Sequence, residues 1–177
     1  MAFKFRKNLD GSAYVPTLMY GIGKNAIIFT IGDAVRFNTS GFVDLVDATE
    51  QIAGIVAAVV DKNGLPVSTD SGTTNTWTMA AANQTVALNE VSFIPAFPHY
   101  AFSCDSDVTQ TESDFGKYFS INTTADGIIT ANESDTIGTL AFQLIGLDPD
   151  GDGDASKGLF RIVGSQMGAT TIASRAA

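Results

Sequence analysis

Short apolar runs dominated by Thr, Val, Ile and Phe, bounded by glycine and small polar residues, recur along this chain, and around Val35–Phe37 and Phe119–Ile121 apolar and polar residues alternate with a period of two. That period places apolar side chains on one face of an extended strand, and β-branched and aromatic runs favour strands. Together the runs predict strands over 26–31, 34–38, 41–45, 52–60, 76–79, 84–87, 91–96, 100–104, 118–122, 127–130, 138–147 and 159–165. Turn pairs such as Gly32-Asp33, Ser40-Gly41, Asn63-Gly64, Asp126-Gly127 and Asp150-Gly151 separate them. Short strands at this spacing indicate a barrel or sandwich. The run 52–60, IAGIVAAVV, is almost wholly apolar and β-branched, as in a strand buried on both faces. Helix signals are few. Thr109 with Glu112 resembles a capping box and predicts a turn or two over 110–117, with a second candidate at 47–51.

One pattern occurs twice. Residues 32–56 and 116–140 both begin with Gly, alternate apolar residues (Val35 and Phe37, then Phe119 and Ile121) and reach Asn-Thr. An apolar pair follows in each, Phe42–Val43 and Ile128–Ile129, and each closes on Gly, Gly54 and Gly138. Two related β modules account for this; so does the general likeness of Gly-bounded strands. The expected architecture is all-β: small barrel or sandwich modules, duplicated on the first reading, with an extended N-terminal arm and very little helix. The expected divisions are an arm at 1–24, modules at 25–98 and 99–167, and a tail at 168–177.

Composition narrows the function. At 177 residues the chain can bury about 70% of its unfolded surface. Charged residues are only 16%, so its surfaces rest on Thr, Ser, Asn and Gly. A net charge of −9 disfavours binding to nucleic-acid phosphate, which needs clustered Lys and Arg. Lys4, Arg6 and Lys7 precede the first acid and alternate with Phe3 and Phe5. These five residues read as an arm that docks on an acidic neighbour, and deleting 1–9 is expected to leave the fold intact. No signal peptide is expected at the start, and no apolar run is long enough for a membrane helix. A lone Cys104 excludes an internal disulfide and suits assembly in a cytoplasm.

Candidate chemistry is sparse. His99 is the single histidine, and it lies five residues from Cys104, which puts the two on opposite faces of a continuous strand. No nucleophile elbow or phosphate loop occurs, so no enzyme is expected. Trp77, Phe93, Phe97, Tyr100 and Phe102 are read as an aromatic centre of core or interface residues. Asp148, Asp150, Asp152 and Asp154 alternate in an acidic loop, with Gly153 at the sixth place of a calcium loop. Leu159 stands where the bidentate Glu would be. The loop is a candidate Ca²⁺ site or a solvated hairpin tip; no other cofactor is expected.

The layout Gly32-Asp33-x-Val35, Gly41-Phe42-Val43 and Ile52-Ala53-Gly54-Ile55-Val56 resembles bacteriophage capsid decoration (cement) proteins, mainly over residues 28–67. The resemblance implies a virion structural protein on the outer surface of the head, made in the host cytoplasm. It implies a homo-oligomer, a trimer by preference, that clamps neighbouring major capsid subunits through extended termini. It implies neither membrane nor direct nucleic-acid contact. The alternative is a receptor- or carbohydrate-binding virion module that uses Trp77 or the acidic loop.

Overall fold

The computed structural model describes residues 3–11, 16–24, 27–47, 50–59, 76–78, 90–105, 109–123, 129–132, 142–148, 157–163 and 165–167. Their strands are β1 (Lys4–Asn8), β2 (Met19–Ile22), β3 (Ile28–Thr30), β4 (Ala34–Phe37), β5 (Val43–Leu45), β6 (Gly54–Val59) and β7 (Thr76–Thr78). There follow β8 (Glu90–Pro95), β9 (Tyr100–Asp105), β10 (Tyr118–Thr123), β11 (Ile129–Asn132), β12 (Phe142–Leu147) and β13 (Lys157–Ile162). The fold is all-β, as the alternation predicts; among the described residues the one helical element is a 3₁₀ turn at Glu112–Asp114.

One sheet runs β2-β8-β6-β4-β5 and another β1-β9-β13-β12-β10-β11, with every strand pair antiparallel. With β1 set aside, both use their strands in the same chain order: first, fifth, fourth, second, third. The registers agree as well. Ala34↔Ile55 and Val35↔Gly54 correspond to Tyr118↔Gln143 and Phe119↔Phe142. Val56↔Phe93 corresponds to Leu144↔Phe160, and each pair is followed by a bulge at the same place, before Ala58 and before Gly146. The turn into the second strand repeats its hydrogen bonds. Gly32 N–H donates to Val56 O at 2.8 Å and Gly116 N–H to Leu144 O at 2.8 Å. Val56 N–H returns to Asp33 O and Leu144 N–H to Lys117 O, at 2.9 and 3.0 Å. Both turn glycines have positive φ, 92° and 88°, a conformation that a side chain would strain.

Each sheet curls like a barrel without closing. In the first, Gly23 just after β2 meets Val43 of β5 through a parallel bridge. Val35, Val43, Val56, Val59 and Phe93 fill its interior. The bulge after Val56 lets Val56 and Val59, an odd number apart, both face inward. Gly54 leaves room for the Phe93 ring and the Ile94 carbonyl, which a Cβ would strike. In the second barrel Phe102, Cys104, Phe119, Leu144 and Phe160 belong to the core, and Gly158 makes room for the Phe160 ring. A cross-strand row on the outer face of the first barrel, Ala34, Ile55 and Ile94, packs into that same core with Phe3, Phe142 and Ile162. β6 is thus apolar on both faces because both are covered. Each fully buried Phe stabilises this arrangement by roughly 1.5–3 kcal/mol.

Three expectations need correction. The repeat pairs Gly54 with Gly138, but Gly54 matches Phe142, because the β10–β11 hairpin is longer than β4–β5: Ser120↔Asn132 stands where Arg36↔Asp44 does. The capping pair is Thr111 with Asp114, two residues beyond Thr109 and Glu112. Thirdly, residues 1–24 do not form a free arm. They supply β1, paired to β9, and β2, paired to β8. Phe3 is 4% exposed and stacks on Phe142 at 4.7 Å, and its N–H donates to Gly32 O. Removing 1–9 therefore removes a strand and a core side chain.

Candidate functional site

The five residues read as a docking arm are bound into the molecule. Phe5 meets Tyr100 and Phe102 edge-on at 5.4 and 5.7 Å. Arg6 donates through Nη2 to Asp148 Oδ2 at 2.7 Å and through Nε to Asp148 Oδ2 and Ser103 Oγ at 3.2 Å. Lys4 and Lys7 lie on the same strand, and Lys7 is exposed. Phe3, Phe5 and Arg6 are thus spent on internal contacts, because an edge strand carrying apolar residues is held more firmly against β9 than in water.

Asp148 consequently has a different role from the one its loop suggests. Its side chain is 1% exposed and neutralised by Arg6, so a cation at Asp148 would compete with the guanidinium. Asp150, Asp152 and Asp154 lie outside the described residues. No group of three metal-ligating side chains occurs among the described residues.

The aromatic residues do not form one centre. Phe93 lines the first barrel, while Tyr100 and Phe102 belong to the second core. Trp77 pairs through its backbone with Phe29. His99 is exposed and stacks on Phe97 at 5.5 Å, whereas Cys104 is buried on β9. Geometry thus separates the imidazole from the thiol.

Two turn carboxylates titrate in opposite directions. Asp33 is buried, and burial pushes its pKa up to about 6 even though its carboxylate accepts the Thr30 N–H at 2.7 Å. Asp114 is held down at about 2, chiefly by the hydrogen bond from Lys117, then by Thr111. On the outside of β4 and β5, Asp44 binds Lys24 at 2.7 Å, and Arg36 reaches both Asp44 and Glu50. The second barrel has Ser120 and Asn132 at the positions of Arg36 and Asp44, so that ion pair has no counterpart at those positions.

The clearest candidate for contact with another molecule comes from comparing the two barrels. The outer row Ala34–Ile55–Ile94 of the first is buried against the second. The matching row of the second is Tyr118–Gln143–Arg161. Tyr118 is 41% exposed, and Phe115, three residues earlier, is 45% exposed. Arg161 Nε donates to Gln143 Oε1 at 2.6 Å, and Gln143 Nε2 donates to Gly116 O at 2.9 Å, so the polar part is held in place. An exposed aromatic residue and an ordered Arg on one face, on either side of Gln143, are residue types favoured at protein interfaces. Sequence reading passes over these residues; the available signal is Gln143 and Arg161 interrupting otherwise apolar strands.

No protein-family model matches the chain, no curated protein matches it, and no solved structure matches its fold.

Proposed function

We propose that the chain is a virion structural protein of the capsid-decoration kind, which binds neighbouring major capsid subunits from outside as a homo-oligomer. The reading takes its family from the sequence resemblance. The observation that carries it is the outward Tyr118–Gln143–Arg161 row with Phe115 beside it, at the place where the first barrel has an interface. The docking surface moves accordingly, from the N-terminal residues to this face. A low charged fraction of 16% suits a surface that is covered after assembly. Binding at many symmetry-related positions multiplies a modest contact.

The test is to add purified chain to heads that lack it and measure bound copies after sedimentation. Saturation at a fixed number per head, with a raised disruption temperature of the heads, is expected. Absence of saturable binding would remove the reading.

A further inference from the structure

Among the described residues, the first barrel leaves open a strand edge whose counterpart in the second barrel is filled. β9 pairs with β13 on one side and with β1 on the other, with Tyr100↔Asn8, Ala101↔Lys7, Phe102↔Phe5 and Ser103↔Lys4. Phe102 faces Phe160 just as Met19 faces Phe93, so the matching edge positions are Thr17, Leu18, Met19 and Tyr20. Among the described residues no strand pairs with that stretch on its outer side. Only beyond it, at Gly23, does the chain meet β5. Thr17 N–H donates to Tyr100 Oη at 3.4 Å, which anchors the start of the edge against the second barrel.

The open edge also lacks the features that keep edges from pairing. β1, the outermost strand of the other sheet, carries Lys4, Arg6 and Lys7 and a register shift between Phe5 and Lys7. Such charges and bulges block further strand addition. Residues 17–20 include no charge and no proline. Leu18 and Tyr20 are 38% and 57% exposed.

We infer that residues 17–20 form a strand-pairing site whose occupant is the same stretch of a second copy, antiparallel about a two-fold axis. Leu18 then lies opposite the second copy's Tyr20, and Met19 opposite its Met19, so that the two exposed side chains of each copy share one face. The occupant follows from charge: the stretch is neutral, so two copies meet here without the repulsion that a net charge of −9 imposes elsewhere. A four-residue ladder falls well short of the ~1,200 Å² of a stable interface, so the dimer is concentration-dependent. The pairing concerns the free chain and stands independently of the capsid reading.

Sedimentation velocity from about 1 μM to about 1 mM tests it, a range that brackets a weak association. The wild-type chain is expected to pass from monomer to dimer. Leu18→Lys and Tyr20→Lys, both at exposed positions, are expected to weaken dimerisation by ~10-fold or more while the unfolding temperature is unchanged. Amide exchange at 17–20 should slow with concentration in the wild type alone. A monomer throughout the range, a trimeric mass, or a dimer indifferent to both lysines would overturn the inference. So would fast exchange at 17–20 in the dimer, since the contact would then lie elsewhere.

Discussion

Asp33 shows how much one carboxylate matters in a chain this poor in charge. Its folded pKa of about 6 exceeds the ordinary 3.8, so the folded state holds the proton more tightly. The stability it contributes is complete below pH 3.8 and is lost as the pH rises through about 6. At neutral pH the loss is on the order of 2–3 kcal/mol. Asp33→Asn keeps an oxygen for the Thr30 N–H and carries no charge. It should be more stable than the wild type at pH 7 and abolish the fall in stability between pH 4 and 6, as read by urea unfolding across pH. Asp114 has the opposite sign: its contribution is present above pH 3.8 and lost as the pH falls through about 2. Gly54 is constrained by space, since a Cβ would strike Phe93 and Ile94. Gly54→Ala should cost about 1–3 kcal/mol, whereas Gly146→Ala, whose Cβ would lie 3.8 Å from Leu159, should cost far less in the same assay.

At the scale of elements, β1 is the piece whose removal is most informative. It crosses from the first barrel to the edge of the second and brings Phe3 into the core and Arg6 to Asp148. Arg6→Met removes the guanidinium from the buried Asp148 carboxylate and should cost about 3–5 kcal/mol. Thermal unfolding checks this, and Arg6→Met with Asp148→Asn should recover part of the loss. The strands of both barrels other than β2 were legible from their β-branched and alternating runs, and 52–60 from its continuous apolar run. β1 and β2 were not: Lys4, Arg6 and Lys7 among Phe3 and Phe5 read as a docking arm until the edge of β9 is placed beside them, and Met19–Ile22 falls inside the expected arm at 1–24. The Arg6–Asp148 pair, 142 positions apart, has no local signature. Nor did the second half of the repeat align correctly, since a longer hairpin shifts the copy while preserving its turn glycines, Gly32 and Gly116.

For the whole molecule, the shared strand order matters most where the two barrels differ. The first packs the apolar row on its outer face against the second and, among the described residues, leaves the edge at 17–20 open; the second turns the matching row Tyr118, Gln143 and Arg161 outward and has its edge filled by β1. The same topology therefore has two different surfaces, one spent on joining the barrels and one presented outside. That presented face could not be identified from residue types alone. It required knowing that Tyr118 and Arg161, far apart in sequence, flank Gln143 on adjacent strands. The most direct measurement compares occupancy on undecorated heads for the wild type and for a Tyr118→Lys, Arg161→Glu double variant with unaltered unfolding temperature. The account predicts saturable binding by the wild type and a loss of at least ~100-fold in affinity for the variant, the cost expected when central interface anchors are removed. Equal occupancy by both chains, or binding by neither, would contradict it.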